Sequence, residues 1–191
     1  MKPARRMGPA TSETRMALLD ATERVLRSEG YAAVSSRRIA EQAGLKQQLV
    51  YYYFHTMDEL LLATFQRRTE RALERLKATL ESEHPLRALW EMHSELSVAG
   101  LSAEFMALAN HHEGIRAEVA RYMEESRALE AAALSRVLPT SESTHLTATA
   151  LSLAISSLSQ TLAREHETGI TSGHDDIRAF IRWCLDRLDP R

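Results

Sequence analysis

The sequence predicts an all-α chain, an N-terminal three-helix helix-turn-helix module followed by a C-terminal helical bundle. Three observations point there. Apolar residues recur at three- and four-residue spacing along most of the 191 residues, the period of helices buried on one side. Seven glycines and five prolines are few, which favours long helices over a loop-rich β fold. Ser35 to Phe54 reads as two short helices joined by a glycine-containing turn, a helix-turn-helix. The pattern gives about nine helices in all.

Residues 1–11 mix Met, Lys, Pro, Arg and Gly without periodicity and are expected to form a disordered basic arm. From Thr11 or Ser12 to about Glu29, Ala17, Leu18, Ala21 and Val25 mark a helical stripe that Gly30 ends. Ser35 can cap the next helix, whose apolar side is Ile39, Ala40 and Ala43. Gly44 follows, where a chain leaving a helix often turns left-handed. A second short helix runs from about Gln47. Thr56-Met57-Asp58-Glu59 is a capping box opening a long helix to about Glu81. Its length, roughly 37 Å for about 25 residues, exceeds what the small module needs, so it must reach a second body.

The helix from Gln47 divides into two faces. At 100° per residue, Leu49, Val50 and Tyr53 face one way, toward the preceding helix, and Gln47, Gln48, Tyr51 and Tyr52 face the other. The outward face holds two amides and two phenols and no carboxylate, which suits the DNA major groove: Gln pairs bidentately with adenine, and Tyr touches thymine methyls or phosphate. An ordinary helical hairpin with surface tyrosines is the bland alternative. Charge favours DNA. The net charge is −2, yet residues 1–56 hold nine Lys and Arg against five Asp and Glu, while the remainder holds fifteen against twenty-one.

Beyond the long helix, His84-Pro85 breaks the chain. Residues 86–99 carry Leu86, Leu89, Trp90, Met92, His93, Leu96 and Val98. Gly100 interrupts, and Leu101, Phe105, Met106, Leu108 and Ala109 mark another helix. Ile115 to Leu138 form a further helix that Pro139 stops, and 140–144 are turn-like. Residues 145–166 put Leu151, Ile155, Leu158 and Leu162 on one seam. Residues 175–188 do the same with Ile177, Phe180, Ile181, Cys184, Leu185 and Leu188. Two such helices per subunit can form a four-helix bundle across a two-fold axis, or simply close a monomer's core. Cys184 is the only cysteine, so no intrachain disulfide forms and a reducing, cytoplasmic compartment is expected. There is neither a membrane-length apolar run nor a signal-peptide pattern.

Gly30-Tyr31, Ser35, Ile39-Ala40, Ala43-Gly44-Leu45, Val50-Tyr51, Tyr53-Phe54 and Asp58-Glu59-Leu60-Leu61 together resemble the TetR family of bacterial transcriptional regulators over about residues 12–65. The resemblance implies a DNA-binding domain over 12–56 and a ligand-binding and dimerisation domain over 57–191. It implies a homodimer on a palindromic double-stranded operator, a small-molecule effector, and most often repression. Two departures stand out. Lys46-Gln47-Gln48 occupies the place of the family's common Ser-Lys-Gly, and Met57 stands where a phosphate-binding Lys is common. A different operator is expected from the first and a missing phosphate anchor from the second.

Base contacts are therefore expected from Gln47, Gln48 and Tyr51. Phosphate contacts are expected from Ser35, Ser36, Arg37, Lys46, Tyr52, Tyr53 and His55. An effector pocket is expected among Trp90, Met92, His93, Phe105, Met106, Ala109, Tyr122 and Met123, a mixture of adaptable apolar side chains and a few polar tips. The best-fitting effector is an uncharged or weakly charged hydrophobic molecule. The same residues at helical spacing also serve as plain core. His111-His112-Glu113 lacks the i, i+4 spacing of a helical metal pair, so no metal or cofactor is expected. Phosphate loops, nucleophile elbows and paired-carboxylate motifs are missing from the sequence, so catalysis is not expected. The alternatives are a helical protein-interaction adaptor and a small metal-dependent helical hydrolase. Salt-dependent binding to a palindromic duplex separates the regulator from the first, and turnover with bound metal would reveal the second.

Overall fold

The computed structural model describes residues 12–94, 105–138 and 147–189, and among them every regular element is helical. The basic arm expected over 1–11, the positions around Leu96 to Leu101 and the turn at 139–144 lie outside the described residues. The helices are α1 (Glu13–Glu29), α2 (Ser36–Ala43), α3 (Gln48–Tyr53), α4 (Met57–Leu80), α5 (Pro85–His93), α6 (described over 105–109), α7 (Glu113–Leu134), α8 (Ala148–Glu167) and α9 (His174–Leu188), with a 3₁₀ turn at Tyr31–Ala33. No helix among the described residues is long and apolar enough to cross a membrane.

The chain divides into two compact units. One takes in the described residues of Met1–Glu70 and Gly100–Val119; the other takes in those of Arg71–Ala99 and Ala120–Arg191. The division falls inside α4 and α7, not at residue 56. The reason is local: Leu60 is fully buried among Leu18, Leu19, Ile39, Ala40, Val50 and Phe54, so the first turns of α4 complete the core of α1–α3.

The caps that shape this first unit are short-range. Ser12 and Ser35 accept the backbone N–H of Arg15 and Arg38, each at 3.2 Å, and Thr56 accepts that of Glu59 at 3.1 Å. The Glu59 carboxylate closes the capping box one residue further out than usual, accepting the His55 N–H at 2.7 Å. Gly44 ends α2 at φ 67°. Leu45 N–H returns to the Ala40 carbonyl at 2.9 Å and Gly44 N–H to that of Glu41 at 3.1 Å, a Schellman closure. A side chain would have open space there, so only backbone strain opposes it. Gly44→Ala is expected to cost about 1 kcal/mol, read as a lower urea midpoint with an unchanged slope.

A second cluster in the same unit joins Leu26, Leu61 and Phe65 to Phe105, Leu108, Ala109, Ile115 and Val119. Phe65 and Phe105 stack with centroids 4.3 Å apart. Thr69 donates to the buried Glu118 carboxylate at 2.7 Å, and Arg67 donates to Asp20 at 2.6 Å. These bonds tie α4 to α7 and to α1.

The second unit centres on Leu76 and Leu80 of α4, Leu86 and Leu89 of α5, Ala133 and Leu134 of α7, Ile155 of α8, and Ile181 and Leu185 of α9. Leu151, Leu158 and Leu188 pack against this cluster. Thus the α8 and α9 stripes expected between subunits face the subunit's own core at these positions. An amphipathic stripe records that a face is covered, not what covers it. On α9 the exposed large apolar residues are Phe180, which belongs to the expected stripe, and Trp183, which does not.

Candidate nucleic-acid interface

The helix-turn-helix is set by what α3 buries. Val50 is fully buried and Phe54 nearly so, while Leu49 and Tyr53 are half-buried. Gln47, Gln48, Tyr51 and Tyr52 are all exposed, as the two-faced reading requires. The Tyr53 ring meets Tyr52 edge-on at 5.0 Å, so a packed ring braces an exposed one. The Arg15 guanidinium lies 4.9 Å over the Phe54 ring and fastens the far end of α3 to α1.

Gln47 sits at the N-cap position of α3 but makes no capping bond. Its amide Nε2 reaches back to α2 and donates to Ser36 Oγ at 2.8 Å; the Tyr51 hydroxyl donates to the same oxygen at 3.0 Å. Ser36 is 7% exposed. The hydroxyl is turned inward and taken up by two reading-face side chains, so the phosphate contact expected of Ser36 through the N-terminus of α2 would fall to its backbone. No local pattern reveals this, because the partners lie 11 and 15 residues away.

The remaining predicted contacts stand at the rim. Ser35 spends its hydroxyl on the α2 cap. Arg37 pairs with Glu41 at 2.9 Å while its side chain stays 80% exposed. Lys46 and His55 are exposed at the two ends of α3. Arg38 was not singled out by sequence, yet it anchors the motif. Its guanidinium forks onto Glu29, Nε to Oε2 at 2.9 Å and NH2 to Oε1 at 2.6 Å, and so joins the end of α1 to α2. Hydrogen bonding from Arg38 holds the Glu29 carboxyl below its usual value.

The residues expected to line an effector pocket divide between the two units. Phe105 and Ala109 are core of the first unit, and Met106 is half exposed. Trp90 and Met92 pack on the cluster of the second unit, where Tyr122 is half-buried and Met123 is exposed. His93 Nε2 lies 3.0 Å from the buried Glu130 carboxylate, whose other oxygen accepts Ser152 Oγ at 2.6 Å. An open groove of about 670 Å³ in this unit is lined by Arg75, Thr79, Glu91 and Met92 among others, so it shares only Met92 with the expected set. Among the described residues no three His, Cys, Asp or Glu side chains converge as a metal site. His112 contacts Asp58 and the Tyr31 hydroxyl instead, each at 3.5 Å.

Comparison with known proteins matches this geometry. The family described as "Bacterial regulatory proteins, tetR family" matches residues 18–64, from α1 into α4. An uncharacterised HTH-type transcriptional regulator from the dhlA 5′ region of Xanthobacter autotrophicus is 26% identical over 174 residues, covering 76% of this chain and 84% of that one. Among solved structures, a TetR transcription regulator from Haloarcula marismortui shares the fold at TM-score 0.72 and 21% identity, covering 92% of this chain and 98% of its own. A regulator from Saccharomonospora viridis, solved in complex with choline, does so at TM-score 0.73 and 19% identity, covering 92% and 94%. The sequence match falls on the helices that turn glutamine and tyrosine outward, so residues 18–64 carry the TetR-family DNA-binding segment, and over nearly the whole chain the fold is that of TetR-type transcriptional regulators.

Proposed function

We propose that this regulator is a cytoplasmic homodimeric repressor that holds a palindromic operator and releases it on binding a small hydrophobic effector. The observation that carries the reading is the outward face of α3, where Gln47, Gln48, Tyr51 and Tyr52 are exposed and no carboxylate stands among them. Two such faces in successive major grooves, about 34 Å apart, would read the two half-sites. Gln47, Gln48 and Tyr51 address bases. Ser35, Arg37, Lys46, Tyr52, Tyr53 and His55 address phosphates.

The dimer is assigned to the outer faces of α8 and α9, with Phe180 kept from the residues the sequence singled out, Trp183 added, and Ile155, Ile181 and Leu185 left to the subunit's own core. The effector is assigned to the half-buried and exposed side chains of the second unit, Trp90, Met92, Tyr122 and Met123, with His93 as a polar tip. Phe105 and Ala109 leave this set because they are core of the other unit. A ligand that prefers one spacing of the two α3 helices shifts the population toward it, and α4, which contributes to both units, is the lever.

Operator selection from random duplexes, followed by release with a small-molecule panel, tests the proposal. Gln47→Ala is expected to relax base preference at one position per half-site. Lys46→Ala is expected to weaken all duplexes alike and lower the salt slope by about one. Equal losses on every sequence from both variants would contradict this division of labour.

A further inference from the structure

We infer that Ser36 is a positioning residue whose inward hydroxyl latches Gln47 and Tyr51 and thereby fixes which base pattern α3 presents. The inference rests on the reading of α3 as the operator-reading helix.

Ser36 is the first residue of α2, and at 7% exposure its oxygen is shielded from phosphate. Gln47 Nε2 at 2.8 Å and the Tyr51 hydroxyl at 3.0 Å both donate to that oxygen, which fills its two acceptor sites. One buried atom therefore restrains two exposed side chains, a turn apart on α3.

The restraint has chemical content. An amide presents two donors on nitrogen and an acceptor on oxygen. With Nε2 held toward Ser36, one N–H is spent inside. Oε1 and the second N–H remain as an outward acceptor–donor pair, the complement of the adenine N6 amino group and N7. The latch thus sets the polarity of the amide as well as its place. Tyr51 is affected in the opposite sense: its proton points inward, so its phenol oxygen faces outward as an acceptor. An outward acceptor suits a base amino group and repels phosphate. Ordering these side chains before binding also removes part of the rotamer entropy that a free glutamine loses on contact.

The test uses the full chain and its selected operator, with single base-pair substitutions and an unrelated duplex, titrated across a salt series. Ser36→Ala is expected to reduce the preference for the operator over the base-pair variant facing Gln47 by at least about tenfold, with an unchanged salt slope. Ser36→Thr, which keeps the hydroxyl, is expected to restore most of that preference. In a Gln47→Ala background, Ser36→Ala should cause no further loss at that base pair. Ser36→Cys keeps the shape but replaces the accepting oxygen with a weakly accepting sulfur, and it should lower discrimination even if Ser36→Ala proves too unstable to measure. Thermal unfolding of each variant separates these effects from a loss of fold.

A reduced salt slope in Ser36→Ala would make the residue a phosphate ligand and overturn the inference. So would unchanged discrimination, or losses that add in the double variant. If the wild-type chain prefers no duplex at all, the operator reading itself fails; if it does prefer one and Ser36→Ala keeps that preference, only the latch fails.

Discussion

Substituting Phe180 and Trp183 together by glutamate is expected to leave a folded but monomeric chain that binds a palindromic operator about a thousandfold more weakly. Both side chains are more than half exposed, at 52% and 55%, on a helix whose Ile181 and Leu185 are buried in the subunit core. Their rings stack at 6.1 Å, and the Arg187 guanidinium lies 5.0 Å over the Trp183 ring, so the subunit itself holds them as one outward ridge. Burying a large apolar side chain contributes about 1.5–3 kcal/mol, and a two-fold axis presents each ring twice. Four carboxylates in that place would be desolvated against like charge. Because neither ring belongs to the internal cluster, helix content by circular dichroism should be unchanged. Sedimentation reads the oligomeric state, and fluorescence anisotropy reads operator affinity. A wild-type chain that sediments as a monomer, or a double variant that still dimerises, would remove α9 from the proposed interface.

Asp189→Ala is expected to destabilise the protein by about 3 kcal/mol, a fall in melting temperature of roughly 6–12 °C for a chain of this size. Asp189 is 4% exposed. Its Oδ2 accepts the N–H of Leu86 at 3.0 Å and that of Arg87 at 3.1 Å, and its Oδ1 lies 3.0 Å from His84 Nδ1. The start of α5, where Pro85 and no local side-chain cap stand, is thus capped by a carboxylate from beyond the end of α9. Arg87 in turn donates to the Asp189 carbonyl at 2.9 Å and to Asp186 at 2.6 Å. Alanine would strand two helix N-terminal donors and a histidine in a poorly hydrated place, and it would remove a charge favoured by the helix dipole. Asp189→Asn keeps one acceptor and the shape, so an intermediate loss is expected. Calorimetry on the three proteins checks the order; an Asp189→Ala variant as stable as wild type would show the cap to be dispensable.

What the sequence revealed was what a few neighbouring residues decide. Ser12, Ser35, Thr56 and Gly44 act on backbone groups within five positions, and their caps and turn were legible for that reason. The two faces of α3 follow from helical period alone. The cap of α5 was not legible, because 103 residues separate Asp189 from Leu86. Nor was the Ser36 latch, since side-chain chemistry at the first residue of α2 looks the same whether the hydroxyl faces solvent or the next helix. The apolar stripes of α8 and α9 illustrate a third limit. Periodicity identified Ile155, Ile181 and Leu185 as covered, but their cover is the subunit's own cluster. Trp183 stands off that stripe, and its outward apolar ring three residues after Phe180 was the overlooked sign. Phe105 belongs with it: an aromatic at helical spacing filled a core against Phe65.

Titration of the selected operator against a permuted duplex of equal composition, over a salt series and with wild-type and Gln47→Ala chains, tests the central claim most directly. The account predicts that the wild-type chain prefers the operator by about a thousandfold or more, that the preference shrinks in Gln47→Ala, and that the salt slope stays the same. Equal affinity of the wild-type chain for both duplexes at every salt concentration would contradict it.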